Sequence, residues 1–351
     1  MIDWITGKFW ITHNPDVLRS GQSIRTKIID GIETIEYDVA NRLSIKGSHD
    51  ANITIRSLTD NTVEISGNPA KFLQGHNVFG TNDLKYLVAK MIDKLCMVDE
   101  LQLNPTYEEY ENIQSGIYHL SRVDVNEHFF FPSAQLARSW LRAAGNSANM
   151  KFRGAGLFKE GTLYFTPQSR RFVPKIYFKY DEIHSKDKSH RLPDELLQIP
   201  ELVQYAEKSL RFEIKILSTQ LKDWMLHLGC NWDADTATML INDQFISKLQ
   251  LSANMAIDSE VLQSLPKNLR LTYTAWANGE DLRQVLSRPT FYRYRTKLLE
   301  HGVDISIVQD KEAEQTNVVP MIRYLEAVPM GIPDWAYQKR TGRLIGLFFA
   351  L

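Results

Sequence analysis

Three stretches of the chain place ionisable side chains at every second residue. In LSRVDVNEH, Arg122, Asp124, Asn126 and His128 alternate with Val123 and Val125. In VPKIYFKYD, Lys175, Tyr177 and Lys179 alternate with Ile176 and Phe178. In RFEIKI, Arg211, Glu213 and Lys215 alternate with Phe212, Ile214 and Ile216. Successive side chains of a strand point to opposite faces, so each stretch predicts a strand with one apolar and one charged face. Two readings of that charged face stand side by side. One is a half-exposed sheet whose charges meet water. The other is a concave site in which Asp124 and Glu213 offer hard oxygen ligands to magnesium or manganese. Tyr177 would then be a nucleophile whose proton Lys175 and Lys179 make easier to lose. Lysine and arginine would bind the phosphate it attacks.

Two further segments carry candidate chemistry. NPAKFLQGHNVFGTNDL reads as a loop in which Gly75 and Gly80 allow close backbone approach. His76 within it is a metal ligand, a proton carrier or a structural histidine. Near the C-terminus, GEDLRQVL, SRP and TFYRYRTKLLEHGVDI predict a helix-turn-helix. Pro289 would break the first helix, Thr290 cap the second and Gly302 stop it. Arg288, Arg293, Arg295 and Lys297 cluster near the start of that second helix, among Phe291, Tyr292 and Tyr294. It is either a core helix with a solvated basic face or a recognition helix for the major groove. Residues 166–191 hold seven Lys or Arg against three acids, a second basic segment.

The elements that must position these residues follow from patterning. Alternating segments before residue 70 (WITGKFWIT, ETIEYDV, NRLSIKG, ANITIRSL, NTVEISG) predict strands punctuated by Asn and Gly. Apolar residues at helical spacing from Leu84 to Leu95 predict a helix, and Ser133 is an N-cap candidate for another. Strands continue to about residue 218 and helices follow, so the expected class is α+β. It comprises an antiparallel-sheet domain over 1–220 and a mostly helical domain over 221–351. The composition is that of an ordinary globular chain: 351 residues, 43% hydrophobic and 24% charged. Cys96 and Cys230 are too few and too far apart for a disulfide framework or a cysteine zinc site. No signal peptide and no membrane span are expected. A net charge of −1 does not announce a nucleic-acid binder, so such a role rests on the two basic segments.

In this order, the blocks resemble the gene II replication initiators of filamentous bacteriophages. NPAKFLQGHNVFGTNDL carries the resemblance most specifically. SRVD (121–124), GTLYFTPQSRRFVPKIYFKYDE (161–182), LRFEIKI (210–216), TNVVPMIRY (316–324), the TFYRYR segment and PDW (333–335) add to it. The RVD, YxK and RFE arrangement also resembles plasmid initiators related to the HUH endonucleases, although this chain lacks a His-hydrophobe-His triplet.

The resemblance implies an HUH-like, metal-dependent endonuclease of the host cytoplasm. It would nick the plus strand of a double-stranded origin through a tyrosine, then rejoin the displaced strand into a circle. It implies magnesium or manganese, double-stranded and single-stranded DNA, and host helicase, polymerase and single-strand-binding protein. It places Glu64 and His76 with Asp124 and Glu213 at the metal, and Arg122, Ser169, Arg170 and Arg211 on DNA. Glu182 also coincides with the family pattern. Tyr177 and Lys179 match as catalytic residues, and Tyr180, which does not match, is the runner-up nucleophile. Glu127, His128 and Tyr205 do not match either. The rival readings are a non-catalytic DNA-binding replication regulator and a phosphoesterase without a covalent step.

Overall fold

The computed structural model describes residues 1–30, 32–131, 133–187, 190–250, 265–277, 280–299, 303, 305–306 and 330–337. In chain order the strands are β1 (Ile2–Trp10), β2 (Gln22–Ile29), β3 (Ile32–Ala40), β4 (Leu43–Lys46), β5 (Asn52–Thr59), β6 (Thr62–Gly67) and β7 (His119–Phe130). They continue as β8 (Asn149–Met150), β9 (Gly154–Ala155), β10 (Leu157–Lys159), β11 (Thr162–Tyr164), β12 (Phe172–Phe178) and β13 (Ser209–Leu217). Nine of them form one antiparallel sheet in the order β10-β11-β12-β13-β7-β1-β6-β5-β4. This is the expected α+β arrangement.

The apolar half of each alternation forms the core. Ile2 and Ile5 of β1, Ile65 of β6, Val123 and Val125 of β7, Ile176 of β12 and Phe212, Ile214 and Ile216 of β13 are buried together. Helices α1 (Pro69–Gln74), α2 (Leu84–Cys96), α3 (Tyr107–Gln114) and α4 (Ala134–Ser147) belong to this layer, with α2 and α4 contributing much of the core. Trp140 of α4 packs on Phe212 with ring centroids 5.9 Å apart. Trp232, Leu240, Ile241 and Phe245 join the same core.

The charged half of each alternation is covered in large part: Asp124, Asn126, His128, Tyr177, Lys179, Arg211 and Glu213 are buried, while Arg122, Lys175 and Lys215 are half-buried. Val78 and Phe79, from the loop after α1, pack with Ile183 of α5 (Lys179–Ile183), Leu196 of α6 (Asp194–Leu197), Leu202 and Tyr205 of α7 (Pro200–Glu207), and Ala336. This second cluster roofs the polar face, so the reading as a solvated sheet is incorrect.

Local structure departs from the sequence patterns in several places. NPAKFLQ is not loop. Asn68 caps α1 by accepting from Lys71 N at 2.8 Å, and Pro69 sits at the tolerated first position. Gly75 ends the helix at φ +84°, where a Cβ would come within 2.3 Å of His49. β12 stops at Phe178, so Lys179 and Tyr180 lie on α5. The β2–β3 ribbon contains a strand that alternation does not flag.

Beyond residue 265, helices Lys267–Ala277, Leu282–Val285 and Arg288–Leu299 share a cluster of Leu269, Trp276, Leu282, Phe291 and Leu298. The last helix starts at Arg288, ahead of Thr290, so Thr290 is not its cap. Pro289 is accommodated in the first turn, where no intrahelical N–H bond is lost. Gly302 and the 316–324 block lie outside the described residues. Among the described residues no helix is long and apolar enough to cross a membrane.

Candidate active site

Register brings the three charged stretches into one field. Tyr177 of β12 faces Arg211 of β13, and Arg211 faces His128 of β7. Lys175 faces Glu213, which faces Asn126, while Lys215 faces Asp124. The field is buried: Arg211 is 0% exposed, Glu213 1%, Asp124 3% and Tyr177 7%.

Hydrogen bonds join these groups into a network. The Tyr177 hydroxyl donates to Glu213 Oε2 at 2.8 Å, and Lys175 Nζ lies 2.9 Å from Glu213 Oε1. Arg211 donates from Nε to His128 Nε2 at 2.9 Å and from Nη1 to the Tyr177 oxygen at 3.3 Å. Its Nη1 also reaches Asp3 Oδ1 at 3.4 Å, and its Nη2 donates to the backbone carbonyl of Asn77. Arg122 grips Asp124 with two bonds of 2.8 and 2.5 Å. Lys179 Nζ donates to Asn77 Oδ1 at 3.0 Å and to Glu182.

Several of these partners have no periodicity to reveal them. β1 bulges between Ile2 and Trp4 against β7, and the extra residue, Asp3, reaches the polar field. Asp3 Oδ1 accepts from Asn68 and Asn77, each at 2.9 Å, which ties the α1 loop to the sheet. Asn77 and Glu182 contribute from the loop and from α5. His128, which lies outside the family pattern, is central to the network.

Burial sets the electrostatics. Desolvation pushes the Asp124 carboxyl up to about 6, with Arg122 opposing and Glu213 adding to the rise. Desolvation and Arg211 pull Lys179 down to about 8. His76 falls to about 3 through burial and the charges of Lys179, His49 and Arg211, so it is neutral. The Tyr177 hydroxyl is raised well above its ordinary value, mainly by desolvation, with Arg211 opposing. The expectation that flanking lysines ease its ionisation is corrected here: Lys175 and Lys179 are largely committed to Glu213 and Glu182. The tyrosine instead has a carboxylate within hydrogen-bond reach to take its proton.

Not every candidate joins the field. Tyr180 packs on His184 and Phe178, with Arg138 of α4 5.8 Å from its ring centre. Glu64 lies on β6, where Arg42 at 2.6 Å and Arg56 at 2.9 Å already hold its carboxylate. His76 is buried against Phe79, 4.7 Å between ring centres, with cationic neighbours. Among the described residues no three His, Cys, Asp or Glu side chains gather as a metal cage. Ser169 lines a separate cavity of about 520 Å³ with Lys151, Arg153, Phe172, Trp224 and Lys248. Arg170 beside it is exposed. On the Arg288–Leu299 helix, Arg288, Arg293 and Lys297 are exposed and Arg295 is half-buried.

Magnesium commonly takes one or two carboxylates and completes its shell with water and substrate phosphate. Asp124 and Glu213 are two such carboxylates on adjacent strands; Arg122 holds both oxygens of Asp124, and Lys175 and Tyr177 hold those of Glu213, so a metal would share or displace these partners.

Comparison with known proteins covers both halves of the chain. The N-terminal family model of the phage gene II replication-associated protein matches residues 1–235, and its C-terminal counterpart matches residues 257–341. The chain is similar to the replication-associated protein of the same family from Enterobacteria phage I2-2, at 34% identity over 95% of this chain and 96% of that one. It is similar to the protein of the same name from Enterobacteria phage M13 at 24% identity, over 86% and 87% of the two chains. An alignment with the rolling circle replication initiator protein from Geobacillus stearothermophilus covers 88% of this chain and 98% of that one. It has a TM-score of 0.32 and 10% identity.

Proposed function

Because the chain belongs to the family of gene II replication-associated proteins of filamentous phages, we propose that it starts rolling-circle replication. In this reading it cuts one strand of a double-stranded origin through Tyr177 and later rejoins it. The observation that carries the reading is the buried hydrogen bond from Tyr177 to Glu213, with Arg211 on the same hydroxyl.

The chemistry follows from those contacts. Tyr177 Oη attacks a backbone phosphorus while its proton passes to Glu213 Oε2. The P–O bond to the 3′ oxygen breaks and that oxygen takes a proton from water, giving a 5′-phosphotyrosine and a 3′-hydroxyl that a host polymerase can extend. Attack of a 3′-hydroxyl on the phosphotyrosine reverses the step, so rejoining needs no nucleotide cofactor. Arg211, Lys175 and Lys179 supply positive charge where the phosphate gathers negative charge. Asp124 and Glu213 are the residues that would hold magnesium, which when bound polarises the phosphate and eases charge on the leaving oxygen. Arg122 orients Asp124.

The field lies under the roof of the α1 loop, so DNA must displace part of that roof. A melted strand suits such a site better than a duplex. The exposed Arg288, Arg293 and Lys297, with Arg295, are proposed to grip the duplex. Ser169 and Arg170 lie beside the aromatic and basic cavity of Lys151, Arg153 and Trp224, a surface suited to a single strand.

The test is to incubate supercoiled plasmid carrying the phage origin with protein and magnesium, then denature the products. Nicked circles, with labelled 5′ strand on a Tyr177 peptide, are the expected outcome. A gel shift without nicking would make the protein a DNA-binding regulator, and nicking without attachment a phosphoesterase.

A further inference from the structure

A cavity of about 280 Å³ opens where β7 runs past the start of β1. Met1, Phe79, Asn126, His128, Tyr205 and Met330 are among its walls. Phe79 and Tyr205 meet edge to face, 5.7 Å between ring centres. The Tyr205 hydroxyl is engaged, donating to the carbonyls of Met330 and Gly331 at 3.1 Å. His128 is engaged at both ring nitrogens, by Arg211 at 2.9 Å and Ser209 at 3.0 Å.

Asn126 is different. It is 1% exposed, and neither its carboxamide nitrogen nor its oxygen has a hydrogen-bond partner. Burying a carboxamide with both functions unmet is costly, and such a group calls for a reason. Here the group lines a cavity whose walls combine Phe79, Tyr205 and Met330 with the polar Asn82, Asp83 and Glu127. It also faces Glu213, the carboxylate that accepts from Tyr177.

We propose that this cavity receives one unstacked adenine of the single strand, next to the phosphate that is cut, and that Asn126 reads it. A carboxamide presents a donor and an acceptor side by side, and adenine answers with its N6 amino group and an adjacent ring nitrogen. Phe79, Tyr205 and Met330 supply the apolar surface that replaces base stacking. The inference rests on the reading that this chain cuts single-stranded DNA at Tyr177, and it adds a base-specific subsite to it.

The experiment uses the full chain, magnesium and single-stranded oligonucleotides spanning the origin cut. Each position near the cut is replaced in turn by an abasic site and by the other bases. Wild-type protein should show one adenine whose replacement lowers cleavage about tenfold or more, the discrimination expected of a bidentate contact. Asn126→Ala should level that difference, and Asn126→Asp, an acceptor only, should favour cytosine there. A flat wild-type profile, a sensitive base other than adenine, or an unchanged profile in Asn126→Ala would overturn the subsite while leaving the nicking reading intact. Failure to cut the unsubstituted strand would sink both. Should Asn126→Ala not fold, the wild-type abasic scan still decides.

Discussion

Arg211 and His128 face each other across β13 and β7, and the guanidinium Nε donates to His128 Nε2 at 2.9 Å. An imidazole can accept that bond only while neutral, and burial and the Arg211 charge hold its pKa well below the ordinary value. The other ring nitrogen must then carry the proton and donate to Ser209 Oγ, 3.0 Å away. One arginine therefore fixes a histidine tautomer on one side and contacts the proposed nucleophile on the other.

Replacing Arg211 should accordingly be severe. Arg211→Met leaves Asp3 without its buried cation, and removing one partner of such a pair costs roughly 3–5 kcal/mol. Arg211→Lys keeps a charge but not the fork, so it should retain more stability while losing most nicking. Urea unfolding and origin nicking on the same preparations check both statements. A wild-type urea midpoint in Arg211→Met would mean the arginine network is not structural.

Tyr177→Phe should abolish covalent attachment to DNA at a stability cost of about 1.5–3 kcal/mol, the worth of a buried hydrogen bond to a charged group. Tyr180→Phe should still attach, because Tyr180 packs with His184 and Arg138 away from Glu213. Attachment retained by the first variant and lost by the second would move the nucleophile to α5.

Asp124→Asn and Glu213→Gln should each lower nicking by two orders of magnitude or more, about 3 kcal/mol of transition-state stabilisation. Asp124→Asn should also raise the magnesium concentration needed for half-maximal rate. A magnesium titration of nicking that superimposes on wild type would remove Asp124 from the metal.

Stability should fall in mild acid. His76 is held neutral in the fold, with its pKa depressed from 6.5 to about 3. Below 6.5 the unfolded chain binds a proton that the folded chain refuses. Stability is therefore complete above pH 6.5 and is lost as pH falls towards 3, by up to about 1.4 kcal/mol per unit from this group. Denaturant midpoints between pH 7 and pH 4 should show a shallower slope for His76→Gln. Equal slopes would refute the assignment.

Arg293→Ala and Lys297→Ala should weaken binding to origin duplex and reduce its salt slope by about one each. Cleavage of a short single-stranded oligonucleotide should change little, because that reaction needs only the sheet site. If both activities fall together, the helix serves the catalytic site directly.

The alternation in LSRVDVNEH, VPKIYFKYD and RFEIKI was enough to mark three strands and to put Arg122, Asp124, Lys175, Tyr177, Arg211 and Glu213 on one face, because side-chain direction along a strand is a local property. The α+β class and the family resemblance were legible for the same reason: both live in short contiguous patterns. What those patterns left open was whether the face met water. Packing settles that, since Val78 and Phe79 close over it with residues of α5, α6 and α7 that are distant in sequence. Burial then reverses the expectation for Tyr177, whose hydroxyl is harder to ionise than usual although lysines flank it in sequence. Asp3 enters through a bulge, and Asn77 through a loop that folds back onto Arg211. Neither follows a period of two. Glu64 and His76 match the family pattern, yet Glu64 is held by Arg42 and Arg56 and His76 sits among cations. Residue type and spacing name the groups that can react. Their partners and their solvent are chosen by segments that meet only when the chain has folded, and those two factors set the charge each group carries.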